Sequence, residues 1–253
     1  MSDTVQVERR GAAQIITINR PDVRNAVDPD TAAALKAAFL DGEADDDVAV
    51  HILTGAAGHF CAGADLKAVS EGKRYERTGP MGPSWLSLTK PSIAAVEGHA
   101  VAGGLELAIM CDLRVAANSA VFGVYCRRWG VPLIDGGTVR LPRLIGQSRA
   151  MDMILTGRPV AAEEALSFGL ANRVVADGMT VSAALEIADQ LAAFPQTCMR
   201  LDRVSAIEQW GLPIEQALER EAEFGRESLR AGAAVGAGRF AGGKGRGGDF
   251  GDI

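Results

Sequence analysis

The 253-residue sequence contains few cysteines and histidines, and none of them has the spacing of common zinc ligands. Its four cysteines form no C-x-x-C pair, and its three histidines form no H-x-x-x-H pair. These absences exclude the usual zinc and disulfide frameworks. They predict free, buried thiols in a reducing compartment and no metal site.

Long apolar runs and basic clusters are also missing. No run approaches the roughly 18 apolar residues of a membrane-spanning helix, and the first ten residues, MSDTVQVERR, lack an apolar signal core. The formal net charge is −6, and lysine and arginine occur in runs no longer than a pair. This pattern opposes binding to nucleic acid or to an anionic membrane. We therefore expect a cytoplasmic protein in which any anionic ligand meets a local group of cations.

The apolar pattern favours alternating strands and helices. Hydrophobic residues make up 47% of the chain, and QIITI has the unbroken apolar character of a strand buried on both faces. VAVHILTG and PSIAAVEG are further predicted strands. Asp28 is placed to cap a helix that begins at Pro29, and GLELAIMCD predicts a short helix. This order predicts the α/β fold class.

The composition changes after about Phe194, where long helical patterns begin. We predict a core domain over residues 1–194 and a C-terminal part over residues 195–253, made of helices and a glycine-rich tail. Ile214 and Leu218 share one apolar helix face, which is suited to docking on the core or on another subunit. The tail segment GRFAGGKG has no Ser or Thr after its lysine, which excludes a phosphate loop. Its glycine content predicts a mobile tail.

Two glycine-bearing segments, HFCAGADLK and EGHAVAGGLELA, each follow a predicted strand. Small residues let a ligand approach the backbone closely, and N–H groups in the first turn of a helix have no intrahelical partner. Two such N–H groups can hold one oxygen atom. Glu106 lies within the second segment, among small and apolar residues where an unpaired charge is costly. The alternative for both segments is a tight turn that glycine merely permits.

Four stretches extend this pattern, in the order INRPDVRNAVD, FCAGADLK, KPSIAAVEGHAVAGGLELAIMCDLRVA and ILTGRPVAAEEALSFGLANRVV. Together they cover most of residues 10–175 and resemble the crotonase family, the enoyl-CoA hydratases and isomerases. The resemblance implies a spiral of repeated ββα units with C-terminal helices that build a homotrimer or a hexamer. It also implies an acyl-CoA thioester substrate and no cofactor beyond the coenzyme A of that substrate.

Carried onto this sequence, the resemblance assigns the thioester oxygen to the backbone N–H groups of Ala64 and Gly103. Glu106 matches one of the two glutamates that bind water and move protons in the family's hydratases. A carboxyl group in an apolar pocket is suited to this work, because burial moves its pKa toward neutrality. The structural alternative is that Glu106 only complements the positive end of its helix.

The resemblance also implies contacts to coenzyme A. Arg24 and Lys67 match positions that contact the phosphates or the adenine, although either could be an ordinary solvated cation. The residues that would line the nucleotide and pantetheine are Ala26, Ala62, Asp65 and Leu66. In the tail, Phe240 and Lys244 keep part of a family pattern that reaches a neighbouring subunit.

The second family glutamate is absent, because Cys126 occupies its position. A thiol replaces a carboxylate as base only if its pKa is strongly lowered, which Arg127 and Arg128 would do if they turned inward. Two other interpretations are that these arginines and Trp129 close the acyl pocket, where they could pair with a carboxylate of the acyl group, or that they are surface residues. Asp135 falls where the family's dienoyl-CoA isomerases carry an aspartate, although an aspartate before two glycines is also typical of a turn.

The sequence thus supports three hypotheses about function. Hydration of a 2-enoyl-CoA is the first, because Glu106 matches the hydratase position. Double-bond isomerisation through Glu106 and Asp135 is the second. A catalytically weak acyl-CoA-binding oligomer is the third, because Cys126 replaces the expected acid.

Overall fold

The computed structural model describes residues 3–248 of the chain. Nine strands occur in this range: β1 (Val5–Arg10), β2 (Ala13–Ile18), β3 (Val50–Gly55), β4 (Ser92–Val96), β5 (His99–Val101), β6 (Leu113–Ala117), β7 (Val121–Gly123), β8 (Val160–Ala161) and β9 (Arg173–Val175). They form a six-stranded sheet in the order β1-β2-β3-β4-β6-β9 and a three-stranded sheet in the order β5-β7-β8. In the larger sheet only the β1–β2 pair is antiparallel.

Helices cover much of the remaining chain. Within the same residues the α-helices are α1 (Pro29–Ala44), α2 (Leu66–Ser70), α3 (Gly103–Met110), α4 (Gly137–Ile145), α5 (Gln147–Thr156), α6 (Ala162–Phe168), α7 (Thr180–Ala193), α8 (Gln196–Glu208), α9 (Ile214–Ser228) and α10 (Ala234–Ala241). Short 3₁₀ helices include Pro83–Trp85 and Tyr125–Trp129. None of these helices is long and apolar enough to span a membrane.

Successive turns of the chain repeat one pattern. A strand of the large sheet is followed by a short strand or bridge in the second layer and then by a helix, as in β4, β5 and α3. Parallel bridges from Val27 to Ala64 and from Cys61 to Ala100 extend the second layer beyond the three-stranded sheet. The predicted α/β spiral of ββα units is therefore confirmed.

Local signals explain how the first turn forms. Gly11, at φ 57°, makes the turn between β1 and β2. Asp28 caps α1 by accepting a hydrogen bond from the N–H of Thr31 at 2.9 Å, with Pro29 in the first turn. The prediction that Asp28 caps a helix beginning at Pro29 is confirmed.

Apolar side chains cover both faces of the large sheet, which confirms the prediction for QIITI. On one face Ile16 and Leu53 join the main core with α1 and α3. On the other face Ile15 and Ile52 pack against α7 through residues such as Ile187. Helix α3 therefore lies between the large sheet and the second layer, with its first turn at the edge of the core.

A buried arginine fixes the opposite end of α3. Arg114 is 2% exposed, and its guanidinium donates to the carbonyl oxygens of Cys111 at 2.8 Å, Asp112 at 3.3 Å and Leu170. Burial lowers the pKa of Arg114. The cation satisfies carbonyl groups at the C-terminus of the helix, where positive charge is favourable.

The C-terminal helices follow the core without a long linker, since α7 ends at Ala193 and α8 begins at Gln196. Arg203 of α8 pairs with Asp112 at 2.8 Å and so holds this helix on the core. The glycine-rich segment differs from the predicted unstructured tail, because α10 occupies Ala234–Ala241. Alanines at three of its eight positions favour the helix, and its glycines do not prevent it. The domain boundary at residue 194 stays a prediction.

Candidate active site

A cavity of about 620 Å³ opens beside the first turn of α3. Its walls come from the loop before α2, from the first turn of α3, from the 3₁₀ helix Tyr125–Trp129 and from the loop that leads into α4. Ala64, Gly103, Glu106, Cys126 and Asp135 all line it. The structure therefore brings every predicted catalytic residue to one cavity.

The backbone holds the two glycine-bearing segments against each other. The N–H of Cys61 donates to the carbonyl oxygen of His99 at 2.8 Å, and the N–H of Val101 donates to the carbonyl oxygen of Cys61 at 3.1 Å. A Cβ atom on Gly63 would lie 3.0 Å from the nitrogen of Gly103, and one on Gly104 would overlap the carbonyl of Cys61. Glycine is required here because the segments touch through their backbones.

This close approach brings the segments that carry the N–H groups of Ala64 and Gly103 to the wall of one cavity. Across residues 3–248, neither group donates a hydrogen bond to another backbone atom. Ala102, just before Gly103, has φ 53°, in the region that favours glycine, and its N–H donates to the carbonyl of Gly123 at 2.9 Å. The sheet thus holds the strained turn that presents Gly103. Two adjacent, unpartnered donors at a cavity wall can hold one carbonyl oxygen.

Glu106 lies one helical turn beyond Gly103 and is 2% exposed. Its Oε1 atom accepts hydrogen bonds from the N–H groups of Asp135 and Gly137, both at 2.8 Å. Its Oε2 atom accepts none from the described residues. The carboxylate therefore bonds to the loop before α4 and not to the N–H groups of its own helix, so it does not cap α3.

The surroundings of Glu106 give it an unusual proton affinity. Its pKa is raised to about 7: burial is the largest cause, the neighbouring Asp135 carboxylate adds to it, and the N–H groups of Gly137 and Asp135 only partly oppose the two. A carboxyl group that titrates near neutrality can both accept and return a proton. Gly137 is needed at this contact, because a Cβ there would lie 2.9 Å from Oε1.

Asp135 is the second buried carboxylate of the cavity, with 3% exposure. Its Oδ1 atom accepts hydrogen bonds from the N–H of Met81 at 2.9 Å and from the hydroxyl of Ser84. Burial raises the pKa of Asp135, against these bonds and the charge of Arg140. Asp135 thus does more than make a turn, because it is buried, lines the cavity and holds Glu106 through its own N–H.

The thiol of Cys126 does not become more acidic. Burial raises its pKa, and the charge of Glu106 adds to this effect more than Arg127 reverses it. Arg127 instead donates through Nε to the carbonyl of Ile154 at 3.0 Å, and Arg128 stacks on the ring of Tyr125 at 4.5 Å. The condition for activating the thiol, that these arginines turn inward toward it, is therefore not met. Arg128 is exposed but lines the outer cavity.

The residues predicted to contact coenzyme A divide into two groups. Arg24, Ala62 and Leu66 line the cavity, whereas Ala26, Asp65 and Lys67 do not. Ala26 is buried and Lys67 is exposed. Asp65 caps α2 by accepting from the N–H of Lys67 at 3.0 Å, and it pairs with Arg20 at 3.0 Å.

Three residues with polar contacts to the site were not predicted, namely Met81, Ser84 and Arg140. Ser84 and Arg140 are 56 residues apart in the sequence, yet both contact the loop that carries Asp135. No local pattern in the sequence marks these contacts. A buried serine in a glycine- and proline-rich segment is ordinary until the fold shows what it touches.

Comparison with known protein families agrees with this geometry. The family model described as enoyl-CoA hydratase/isomerase matches residues 8–229. The chain belongs to the enoyl-CoA hydratase/isomerase family. Among its family relatives is enoyl-CoA hydratase EchA19 of Mycobacterium tuberculosis, which is 40% identical over 229 residues, or 87% of this chain and 86% of that protein. The predicted resemblance to crotonases is confirmed.

Two further family members extend the comparison. Carnitinyl-CoA dehydratase of Salmonella typhi is 40% identical over 197 residues, which cover 76% of this chain and 75% of that protein. The crystal structure of enoyl-CoA hydratase from Mycobacterium tuberculosis H37Rv superposes with a TM-score of 0.91 at 36% identity, covering 95% of this chain and 96% of that one. The whole fold, including the C-terminal helices, therefore matches the family.

Proposed function

We propose that this hydratase-like enzyme catalyses the reversible addition of water to a 2-enoyl-CoA thioester through a thioester enolate. The proposal is supported by the named hydratase and dehydratase relatives and by the geometry of the cavity. The observation that carries it is Glu106, a buried carboxyl group with one anchored oxygen, beside two unpartnered backbone N–H groups.

The N–H groups of Ala64 and Gly103 would hold the thioester carbonyl oxygen. As the oxygen of water bonds to C3, the electrons of the double bond move through C2 and the carbonyl carbon to the thioester carbonyl oxygen. Both donors then stabilise the negative charge of the enolate. One such donor contributes about 3–4 kcal/mol of transition-state stabilisation in comparable sites.

Glu106 would move the proton that this reaction requires. Its carboxylate accepts a proton from water during the attack on C3, and the carboxyl group returns a proton to C2 as the enolate collapses. One molecule of water is consumed and one carbon–carbon double bond is lost. The pKa of about 7 suits both half-reactions, because neither protonation state is strongly favoured near neutral pH.

Mass spectrometry tests this proposal. The full-length protein and its Glu106→Gln variant are incubated in deuterated buffer with 2-enoyl-, 3-enoyl- and 3-hydroxyacyl-CoA thioesters. Glu43→Gln is a matched control, because Glu43 is a largely buried carboxylate outside the cavity. We expect gain or loss of water in the wild type and the control, and its loss in Glu106→Gln. Water addition at an unchanged rate in Glu106→Gln would contradict the proposed role of Glu106.

Isomerisation is the second candidate. The observation that favours it is the closeness of the two acidic residues, since the backbone N–H of Asp135 donates to the Glu106 carboxylate at 2.8 Å, together with a thiol at position 126 whose pKa is raised by burial. In the same experiment, deuterium uptake and migration of the double bond without net water would support isomerisation. Saturable binding with neither signal would instead support the acyl-CoA-binding oligomer.

The assembly, cofactor and location are further proposals. Large apolar side chains are exposed on or beside the C-terminal helices, with Trp210 at 54%, Ile214 at 73% and Phe240 at 62%. A homotrimer, or a hexamer of two trimers, would cover such surfaces. Light scattering should therefore give a mass of three or six 26.5-kDa chains. We also propose a cytoplasmic location and activity with no added cofactor.

A further inference from the structure

The loop that carries Asp135 is held by residues from two other segments. Met81 and Ser84 donate to the Asp135 carboxylate, and Trp85 donates through Nε1 to the carbonyl of Ile134 at 3.2 Å. Arg140 joins these parts, because its guanidinium donates to the carbonyl of Asp135 at 2.9 Å and to that of Ser84 at 2.7 Å. We call Met81, Ser84, Trp85 and Arg140 the clasp.

The clasp helps to position both carboxyl groups of the cavity. The loop that it holds also supplies the N–H groups of Asp135 and Gly137 to Glu106. In Glu106 both hydrogen bonds reach Oε1, and in Asp135 both reach Oδ1. Within residues 3–248, Oε2 of Glu106 and Oδ2 of Asp135 accept no hydrogen bond. Each carboxyl group thus has one anchored oxygen and one oxygen free to exchange a proton.

Ser84 is the part of the clasp that acts on the charge of Asp135. Its side chain is fully buried, does not line the cavity and donates to Oδ1. A hydrogen bond donated to a carboxylate favours its ionised form, which opposes the effect of burial. The N–H of Met81 does the same, but only a side chain can be removed by substitution.

We propose that Ser84 is a positioning residue that keeps Asp135 ionised and oriented, so that Asp135 serves as the second acid–base group beside Glu106 in place of the thiol of Cys126. This inference rests on the proposed function, because it concerns the same reaction at the same cavity. Ser84 touches no substrate in this assignment. It acts through Asp135, and its removal matters only while the carboxylate is present.

A double-mutant cycle on the full-length protein tests this assignment. The variants are Ser84→Ala, Asp135→Asn and the two together, and kcat and KM for 2-enoyl-CoA hydration are measured across pH. We expect Asp135→Asn to lower kcat at least about 100-fold and Ser84→Ala to lower it about 10-fold, with little change in KM. In the Asp135→Asn background, Ser84→Ala should have no further effect on kcat.

The pH profile separates positioning from a structural role. Because the lost hydrogen bond favoured the carboxylate, Ser84→Ala should move the acidic limb of kcat to higher pH by about half a unit or more. Ser92→Ala is the matched control, since Ser92 is a buried serine bonded to Asp112 at 3.1 Å, outside this cavity. Ser92→Ala should leave the pH of the acidic limb of kcat unchanged. If Ser84→Ala does not fold, Ser84→Cys keeps the volume with a weaker donor and should shift the same limb.

Three outcomes would overturn the inference. Equal losses from Ser84→Ala in both backgrounds, or an unmoved limb, would make Ser84 a structural residue only. Full activity in Asp135→Asn would remove Asp135 from the reaction. None of these outcomes contradicts hydration through Glu106, which fails only if the Glu106→Gln variant still adds water.

Discussion

Glu43 and Glu106 are both glutamates with little access to solvent, yet they titrate in opposite directions. The side chain of Glu43 is 16% exposed and lies at the end of α1, away from the cavity. Glu106 is 2% exposed and lines the cavity. The pKa is lowered to about 2 in Glu43 and raised to about 7 in Glu106.

The difference follows from the number of donors. Burial alone would raise the pKa of Glu43, but His51, the N–H and hydroxyl of Thr89 and the N–H of Lys90 outweigh it by donating to both of its oxygens. Glu106 has two donors on one oxygen only. A carboxylate whose two oxygens both accept hydrogen bonds has a structural role, whereas a carboxylate with one free oxygen remains available for proton transfer.

The largest expected difference between the two glutamates is in activity. Glu106→Gln should reduce the rate of hydration about 10²- to 10⁴-fold, because the amide can keep both hydrogen bonds but cannot accept the proton. Glu43→Gln should leave the rate within about threefold. Initial rates with one 2-enoyl-CoA, measured for both variants, check this. Comparable losses in the two variants would mean that burial, and not position, explains the effect.

For stability we expect the larger loss in Glu43→Gln and the smaller in Glu106→Gln. Glu43→Gln replaces the charge at the centre of four donors and should lower the free energy of unfolding by about 2–3 kcal/mol at pH 7. Glu106→Gln should not destabilise the protein at pH 8, because it removes a buried charge and keeps an acceptor for Asp135 and Gly137. Denaturant unfolding of both variants and the wild type gives the values. A destabilised Glu106→Gln would show that its charge stabilises the loop.

The pH dependence of stability separates the two carboxyl groups further. The lowered pKa of Glu43 stabilises the wild type above about pH 4.5, and this contribution is lost as pH falls toward 2. The raised pKa of Glu106 acts oppositely, so its contribution declines as pH rises from about 4.5 through 7. At each pH the free energy of unfolding of a Gln variant is subtracted from that of the wild type. The two differences should change with pH in opposite directions. Slopes of the same sign would contradict the assignment.

The smallest expected effect concerns Cys126. Because its pKa is raised, the thiol should react with iodoacetamide more slowly than the exposed Cys198 at pH 7.5. Cys126→Ser should change the hydration rate by less than about threefold. Peptide mapping after brief alkylation and a rate assay test the two statements. Rapid labelling of Cys126 would indicate a reactive thiolate and restore it as a candidate base.

Much of the fold was predictable because its signals are local. The cap at Asp28, the turn at Gly11 and the apolar run of β2 each depend on residues within a few positions of one another. Helix α4 was not predicted, since its sequence GTVRLPRLI begins with glycine and contains Pro142. Proline inside a helix removes a backbone hydrogen bond, so the local sequence argues against the helix that the structure shows.

The site was predictable only in part. The positions of Ala64, Gly103 and Glu106 follow from contiguous motifs, and the structure brings all three to one cavity. The state of Cys126 was not predictable, because adjacency to Arg127 in sequence says nothing about where the guanidinium points. The clasp was likewise hidden, since four of its five bonds join residues 49 to 56 positions apart.

The buried guanidinium of Arg114 makes the two ends of α3 electrostatically different. The helix dipole places partial negative charge at the C-terminus, where Arg114 neutralises it inside the protein through the carbonyl of Cys111. At the opposite end, at Gly103, no side chain of the described residues caps the helix, although Glu106 stands in its first turn. The positive end of the dipole is therefore uncapped at the cavity wall, while its negative end is compensated inside the protein. The electric field that an enolate oxygen would meet is thus set partly by a cation at the far end of the helix.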